Sequence, residues 1–184
     1  MNTTKTREAE AFATLKGDFG YTSKMQAPRL LKAIVSTGVG KKREKKQLET
    51  ISDRLARITG QKAAPRKSKI SIASFKVREG DTVGLQVTLR GARMYDFLEK
   101  LIHIALPRTR DFRGIAPTAI DEMGNITIGI KENSIFPETG DEDLKDVFGL
   151  AVTIVTSAKS KKEAEAFLRH LGVPLRQHEE KKKK

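Results

Sequence analysis

The chain has 184 residues, with 36 lysines and arginines against 23 aspartates and glutamates, and it contains no cysteine. The formal charge of +13 favours a polyanionic partner, such as nucleic acid or an anionic membrane surface, and the lack of cysteine excludes disulfides, thiolate metal sites and cysteine nucleophiles. Because no apolar run approaches the roughly 20 residues that cross a bilayer, and the N-terminus lacks the apolar segment of a signal peptide, we expect a cytoplasmic protein.

The first predicted elements are a helix and a strand. Phe12, Leu15 and Phe19 recur at helical spacing and predict an amphipathic N-terminal helix that ends near Gly20. Residues 30–37 are apolar and partly β-branched, which predicts a strand that stops at a glycine turn.

A glycine- and lysine-rich segment, TGVGKKREKKQ at 37–47, follows this strand. The phosphate loop of nucleotide hydrolases needs a serine or threonine after its glycine and lysine, but here Lys42 follows Gly40 and Lys41. That loop also needs glycine five residues before its second glycine, where this chain has Val35. A nucleoside triphosphate site is therefore disfavoured, and a larger polyanion is the alternative.

Three further amphipathic helices are predicted. The first, over about 42–58, ends at Gly60, and its apolar stripe consists of Leu48, Ile51, Leu55 and Ile58. The second is terminated by Pro107, and its stripe consists of Met94, Phe97, Leu98, Leu101, Ile102 and Ala105. The third begins with a capping box at Ser160 and Glu163, in which each residue can satisfy an orphan amide of the first turn.

Between the first two of these helices lies a basic segment without helical period, at 62–78, whose cations are Lys62, Arg66, Lys67, Lys69, Lys76 and Arg78. Residues 82–90 then alternate between apolar and polar, which predicts a strand, and similar patterns occur at 126–131 and 150–156. With residues 30–37 this makes four strands. We predict an α+β fold with a mainly antiparallel sheet, helices packed on one face and an open polar face.

The open face is predicted to carry Gln86, Thr88, Arg90, Thr127 and Lys131. Polar groups on rigid strands can support a binding site, and an ordinary solvated face is the alternative interpretation. A second feature of the chain is needed to decide between the two.

That second feature is a set of three basic segments. They are residues 41–46, residues 62–78 and the arginines Arg108, Arg110 and Arg113. Each alone is typical of a solvated surface, but together, in a chain of charge +13, they favour binding of a polynucleotide through its phosphates. With 8 Phe, 2 Tyr and no Trp, recognition of single strands by stacking is disfavoured. Folded RNA, bound through its backbone and 2′-hydroxyl groups, is the favoured partner.

An enzyme is the competing class, because an acidic cluster could ligate magnesium or provide paired acids, and its members are Glu138, Asp141, Glu142, Asp143 and Asp146. A solvated acidic loop is the simpler interpretation, since catalytic carboxylates normally occupy an apolar pocket that this segment does not supply. The three histidines are too scattered for a metal cluster. We therefore predict no catalytic residue, no metal and no cofactor.

Five strings of the chain occur together in one known family, and they are MQAPRLLKAIVSTGVG, ITGQKAAPRKSK, SFKVREGDTVGLQVTLRGARMYDFLEKL, LPRTRDFRG and IFPE. Over about 21–175 the chain resembles bacterial large-subunit ribosomal protein L-five, the 5S ribosomal RNA-binding ribosomal protein family. The resemblance implies a non-enzymatic, structural constituent of the large subunit in the cytoplasmic ribosome. It also implies that the polar sheet face binds 5S rRNA in the central protuberance.

The resemblance further implies residue roles. The implied 5S rRNA-binding residues are Arg29, Lys32, Ser36, Gln61, Thr88 and Arg90. Ser36 and Thr37 depart from the family pattern, which has asparagine and methionine at these positions. The basic loop at 67–84 is similar to the family segment that reaches the elbow of the peptidyl-site tRNA, and the implied contact residues are Lys67, Lys69, Ser74, Lys76 and Arg78.

Other partners implied by the resemblance are 23S rRNA, neighbouring large-subunit proteins and a small-subunit head protein at an intersubunit bridge, with no membrane. We expect residues 1–178 to form a single RNA-binding domain of two intertwined halves, about 21–80 and 81–178, followed by a basic disordered tail at 179–184. The glycines of the segment at 37–47 would then let backbone amides approach a phosphate backbone, with its lysines along the flank.

Overall fold

The structure is a computed structural model that describes residues 3–40, 45–139 and 147–176. Within these ranges the chain forms four α-helices and one five-stranded sheet. In chain order the elements are α1 (Thr3–Phe19), β1 (Leu30–Gly38), α2 (Lys45–Thr59), β2 (Ala64–Lys67), β3 (Thr82–Leu89), α3 (Ala92–Lys100), β4 (Ile126–Ile130), β5 (Leu150–Thr156) and α4 (Lys161–Leu171).

The strands lie in the order β2, β3, β1, β5, β4, and every neighbouring pair is antiparallel. The central strand is β1, in which Val35 is paired with Val87 of β3 on one side and with Val152 of β5 on the other. A strand from the first half of the chain is therefore flanked by two strands from the second half.

Alternation along the strands separates the two faces of the sheet. The buried face consists of Ala33, Val35, Leu85, Val87, Leu89, Ile126, Ile128, Ile130, Leu150, Val152 and Ile154. These side chains form one core with the apolar stripes of the helices: α2 contacts β3, α3 contacts β1, and α1 packs on α3 and α4. On the opposite face, Ser36, Gln86 and Thr88 are only partly buried and Thr127 is exposed. This arrangement confirms the predicted α+β fold.

The helices follow the predicted stripes with local differences at their ends. In α2, Ile51, Leu55 and Ile58 are buried, whereas residues 42–44 of the predicted helix lie outside the described residues. After α3 the chain widens into a π-helical turn, Leu101–Ala105, which carries the second half of the predicted stripe. Leu106 caps this turn, and Pro107, the next residue, ends the helix.

The capping box at the start of α4 is present with one change. Ser160 Oγ accepts a hydrogen bond from the Glu163 backbone N–H at 3.3 Å, as predicted. In the reciprocal bond, the Glu163 carboxylate accepts the backbone N–H of Lys159 at 2.7 Å and not that of Ser160. The box therefore also fixes the residue that precedes the cap.

The strand β2 was missed by the sequence analysis, which predicted four strands. All four of its residues are exposed, so it shows no alternation of burial, and it contains Pro65. Proline is tolerated at a sheet edge because an edge strand has N–H groups that need no ladder partner. The segment without helical period is thus partly an edge strand paired with β3.

β2 and β3 continue beyond their ladder as a protruding hairpin, residues 67–81, which we call the basic hairpin. Ser68 and Asp81 close its base, with N–H to O=C at 2.8 Å, and Ile72 and Val77 exchange backbone hydrogen bonds of 2.9 and 3.2 Å near its tip. Lys76, at φ 51°, turns the chain after a short 3₁₀ turn. Hydrogen bonds of its own therefore hold this loop together.

Candidate RNA interface

The register of the strands arranges the open face in rows of side chains. One row contains Gln86, Ser36, Ala151 and Gly129, contributed in this order by β3, β1, β5 and β4. The next row contains Thr88, Ile34, Thr153 and Thr127. Amide and hydroxyl groups thus stand on both sides of the central strand, on backbone that the core holds rigid.

Four of the six residues implied in 5S rRNA binding meet where β1 and β3 are paired. Ser36 and Thr88 are separated by two positions along this ladder, a spacing of about 7–8 Å at which side chains on one face are diagonal neighbours. Lys32 and Arg90 lie one residue beyond the last pair of the ladder. Arg90 is exposed and Lys32 is half-buried, so both ammonium and guanidinium groups can reach a ligand on this face.

The other two residues border the same region. Gln61 follows α2, and its side-chain amide donates to the backbone carbonyl of Thr88 at 3.4 Å. Arg29 directly precedes β1 and is exposed, and its backbone is fixed by reciprocal bonds to Ser157, at 2.8 Å to the hydroxyl and 2.9 Å from the N–H. Residues far apart in sequence are therefore brought to one edge of the open face.

Contacts among the helices fix the start of β1. Glu8 of α1 accepts the Leu30 N–H at 3.3 Å with one carboxylate oxygen and the Tyr95 hydroxyl of α3 at 2.6 Å with the other. Burial, followed by the hydrogen bond and the charge of Glu8, raises the pKa of Tyr95 to about 12, against the opposing charge of Arg29. The phenol therefore stays protonated at neutral pH and keeps its hydrogen bond to Glu8, which holds α1, α3 and the start of β1 together.

Arg66 is part of this face and was not among the residues implied by resemblance. Its Nε donates to Gln86 Oε1 at 2.5 Å, and its backbone is paired with Gly84 across the β2–β3 ladder. The bond orients a guanidinium group over the row that contains Ser36. Alternation in the sequence placed Gln86 on the open face, but only the pairing of the edge strand shows that Arg66 lies beside it.

The five residues implied in tRNA contact all lie on the basic hairpin, and all are exposed; they are Lys67, Lys69, Ser74, Lys76 and Arg78. The tip of the same hairpin also exposes apolar side chains, with Ile70 at 68%, Ile72 at 43% and Phe75 at 71% exposure. The sequence analysis did not single out these apolar residues. The string ISIASF, without a partner strand or helical stripe, is the signal that could have indicated them.

The remaining basic and acidic segments are only partly described. Arg108, Arg110 and Arg113 are exposed on the irregular segment after α3, and the Arg113 carbonyl accepts a bond from Arg176 at 3.2 Å. The side chains at 41–45 lie outside the described residues, as do the acidic residues at 141–146 and the tail at 179–184. Glu138, the described member of the acidic cluster, forms an ion pair with Lys100 at 2.5 Å.

Metal-binding clusters and membrane-spanning helices are the other kinds of site to consider. Among the described residues, no group of three or more histidine, aspartate or glutamate side chains is arranged to hold a metal ion. In the same part of the chain, none of the helices has the length and apolar character needed to cross a membrane.

Comparison with known proteins identifies the family. The model of ribosomal protein L5 matches residues 23–78, and the model of the C-terminus of the same ribosomal protein family matches residues 82–175. Large ribosomal subunit protein uL5 of Desulfatibacillum aliphaticivorans is 48% identical over 178 residues, which is 96% of this chain and 99% of the relative. The uL5 protein of Geobacter sulfurreducens is 46% identical over 168 residues, 91% of this chain and 94% of the relative.

A third relative, uL5 of Anaeromyxobacter sp. (strain K), is 46% identical over 166 residues, which covers 90% of this chain and 92% of the relative. Matches of this length and identity confirm the resemblance seen in the five sequence strings. The chain therefore belongs to the bacterial ribosomal protein L5 family and is a structural, non-enzymatic constituent of the large ribosomal subunit.

Proposed function

We propose that the chain binds 5S rRNA in the central protuberance of the large subunit through its open sheet face. The observation that carries this proposal is the convergence of six residues from three separate parts of the chain at the β1–β3 side of that face. They are Arg29, Lys32, Ser36, Gln61, Thr88 and Arg90. The helices leave this face uncovered in the described structure, so a prefolded RNA can approach it.

The chemistry of the six residues suits a folded RNA. Ser36, Gln61 and Thr88 are short donors and acceptors that can bond ribose 2′-hydroxyl groups and base edges in a shallow minor groove. The cations at the border, Lys32 and Arg90 among them, can neutralise phosphates. Because Ser36 is shorter than the asparagine of the family pattern, we expect its hydroxyl to reach the RNA directly or through one water molecule.

The test is a filter-binding titration of the full chain with a 5S rRNA transcript. Arg90→Ala and Thr88→Ala are each expected to weaken binding by about 1–3 kcal/mol, because the first removes a phosphate contact at the border of the interface and the second a polar contact within it. Lys162→Ala is the matched control, since this exposed cation lies on α4, on the helical side of the sheet. An affinity of Arg90→Ala equal to that of Lys162→Ala would refute the proposal.

We also propose that the basic hairpin contacts the elbow of the peptidyl-site tRNA. Its exposed cations and its protrusion beyond the β2–β3 ladder support this role, because they place positive charge away from the open face. Lys67→Ala should barely change affinity for 5S rRNA while reducing tRNA contact in reconstituted ribosomes. Equal losses of 5S rRNA binding for Lys67→Ala and Arg90→Ala would contradict this division of roles.

The remaining partners are proposed from other segments of the surface. The exposed arginines Arg108, Arg110 and Arg113 suit contact with 23S rRNA, since guanidinium groups pair with phosphates in a fork geometry. The acidic segment that begins at Glu138 suits a basic protein of the small-subunit head at an intersubunit bridge. Crosslinking of assembled ribosomes through each segment would test these two assignments, along with contact to neighbouring large-subunit proteins.

A further inference from the structure

A groove of about 520 Å³ lies on the open face, over β1, β5 and β4. It is lined by Ser36, Thr37, Gly38, Gly129, Ile130, Lys131, Gly149, Leu150 and Ala151. The outward-facing members of this set are serine, glycine, alanine and one lysine, and they belong to β1, β4, β5 and the residues next to them. The base of the groove is therefore mostly backbone.

The glycines around this groove fall into two classes. A Cβ on Gly84 would lie 2.9 Å from a backbone oxygen of β1, and a Cβ on Gly149 would lie 3.3 Å from backbone oxygens at the end of β4. The fold itself requires glycine at Gly84, and at Gly149 a side chain would be tightly packed against these oxygens.

Gly38 and Gly129 differ, because no atom lies within 4 Å of a Cβ placed on either one, and neither has a positive φ. Glycine inside a strand weakens it relative to residues that favour strands, so these two glycines destabilise β1 and β4 without a reason internal to the fold. What their missing side chains do provide is open space above the backbone of the groove.

The groove is bordered by cations and is continuous with the proposed 5S rRNA-binding residues. Lys131 is exposed at one end. Toward the other edge of the sheet, Gly38 is paired with Gly84 and Gly84 with Arg66, whose guanidinium group is oriented by Gln86. Ser36 lines the groove and also belongs to the six proposed contact residues.

We propose that this groove seats a phosphodiester strand of the bound RNA, so that the RNA interface extends from β2 and β3 across β1 to β4. The proposal rests on the proposed function and enlarges its interface. Arg66 and Lys131 would neutralise phosphates at the two ends, and Ser36 would bond a ribose or phosphate oxygen between them. The small residues between these groups let the backbone of the RNA lie close to the sheet.

A protein segment fits the groove less well. An added peptide strand needs a free sheet edge for its hydrogen bonds, but β1 and β5 are paired on both sides, and the free edge of β4 lies on the side opposite β5 and the groove. A docked helix needs a wide apolar surface, whereas the outward-facing lining offers two glycine strand positions, Ala151, Ser36 and Lys131. The chemistry of the lining therefore favours a polyanionic backbone.

The test uses the full chain and a 5S rRNA transcript. Gly129→Val and Gly38→Val should keep or raise the melting temperature, because valine favours strands and its Cβ has open space there, but should weaken RNA binding about tenfold by filling the groove. Gly17→Val is the matched control, because it adds the same side chain at an exposed glycine with open space around its Cβ, on α1 and not on the sheet. Unchanged affinity for both glycine variants would overturn the proposal.

Lys131→Gln provides a second measurement that does not depend on filling space. It should reduce the slope of log affinity against log salt concentration by about one, as expected for one lost phosphate contact. An unchanged slope would count against the proposal.

The Arg90→Ala variant separates failure of the groove proposal from failure of the proposed 5S rRNA binding. If this variant binds weakly and the groove variants bind normally, the further inference fails and the proposed function stands. If neither class of variant changes affinity, both fail. Normal 5S rRNA affinity of Gly129→Val combined with failure to join large subunits would instead assign the groove to another component of the subunit, a protein or 23S rRNA, which also overturns the proposal.

Discussion

The hydroxyl of Tyr21 donates a hydrogen bond to the carboxylate of Glu163 at 2.5 Å, across 142 residues of chain. Glu163 is only 7% exposed, and its second oxygen accepts the Lys159 N–H at 2.7 Å. One buried carboxylate thus joins the segment before β1 to the first turn of α4. This bond therefore joins the connection between α1 and β1 to the helix that follows β5.

Tyr21→Phe is expected to lower the free energy of unfolding by about 1.5–3 kcal/mol, since it leaves a buried carboxylate with one donor fewer. Urea denaturation measures this loss. Tyr95→Phe is the matched control, because its partner Glu8 is less buried than Glu163 and the loss should be smaller. A larger loss for the control would show that burial of the acceptor does not set the strength of these bonds.

Stability should fall at alkaline pH through both tyrosines. Burial, then the hydrogen bond and charge of the acidic partner, raise the pKa of Tyr21 well above its ordinary value of 10.0 and that of Tyr95 to about 12. A raised folded-state pKa means that the folded chain holds the proton more tightly, so this contribution is full below pH 10 and is lost as the pH rises through the folded values.

The measurement is urea denaturation between pH 9 and 11. The chain should lose stability more steeply above pH 10 than the double variant Tyr21→Phe, Tyr95→Phe, in which the two phenols are absent. Parallel pH profiles for the two proteins would show that these phenols do not carry the effect.

Two glycines of the sheet should respond in opposite directions to alanine. Gly84→Ala is expected to lose about 1–3 kcal/mol of stability, because its Cβ would press against a backbone oxygen of β1 that cannot move without disturbing the ladder. Gly129→Ala should gain about 0.4–1 kcal/mol, because it meets no atom and reduces the freedom of the unfolded chain. Thermal unfolding of the two variants compares them directly, and similar melting temperatures would refute the assignment.

Affinity for 5S rRNA should depend strongly on salt. If about six phosphates are neutralised, the association constant should fall roughly a thousandfold between 50 and 200 mM salt. Titrations at four or more salt concentrations give the slope. A flat response would exclude the phosphate backbone as the main source of affinity and would indicate a different kind of ligand.

The two halves of the chain should not fold separately, which tests our proposal that residues 1–178 are one domain. In a fragment of residues 1–80, β1 and β2 would have no partner strand, because β3 lies between them in the sheet. We expect circular dichroism to show little sheet in fragment 1–80 alone, and more sheet in a mixture with fragment 81–184 than the two fragments show separately. A cooperatively unfolding 1–80 fragment would contradict this.

Much of the fold could be predicted from residue patterns, and the exceptions have a common cause. The strands β1, β3, β4 and β5 each have one buried face, so burial alternates along them and the sequence shows it. β2 has four exposed residues and therefore no alternation. The basic hairpin likewise has few buried side chains. Backbone hydrogen bonds hold it together, and these bonds produce no periodic pattern in the sequence.

The candidate site was predictable only in part. Positions such as Thr88 and Arg90 could be placed on the open face from alternation, and the family resemblance added Ser36, Gln61 and Arg29. Neither Arg66 nor the groove could be inferred in this way. Arg66 lies beside Gln86, 20 residues along the chain, because of the β2–β3 register. The groove forms because glycines of β1 and β4 lie on the same face of the sheet, on either side of β5.

Residue order alone is enough to predict the amphipathic elements, the charge of +13 and membership of a ribosomal protein family, because periodicity, composition and motif order can be read directly along the chain. The folded structure adds which polar groups share a row, which cations border the groove and which glycines the packing requires. These relationships depend on strand order and register, and long-range pairing of strands joins residues that no local pattern relates.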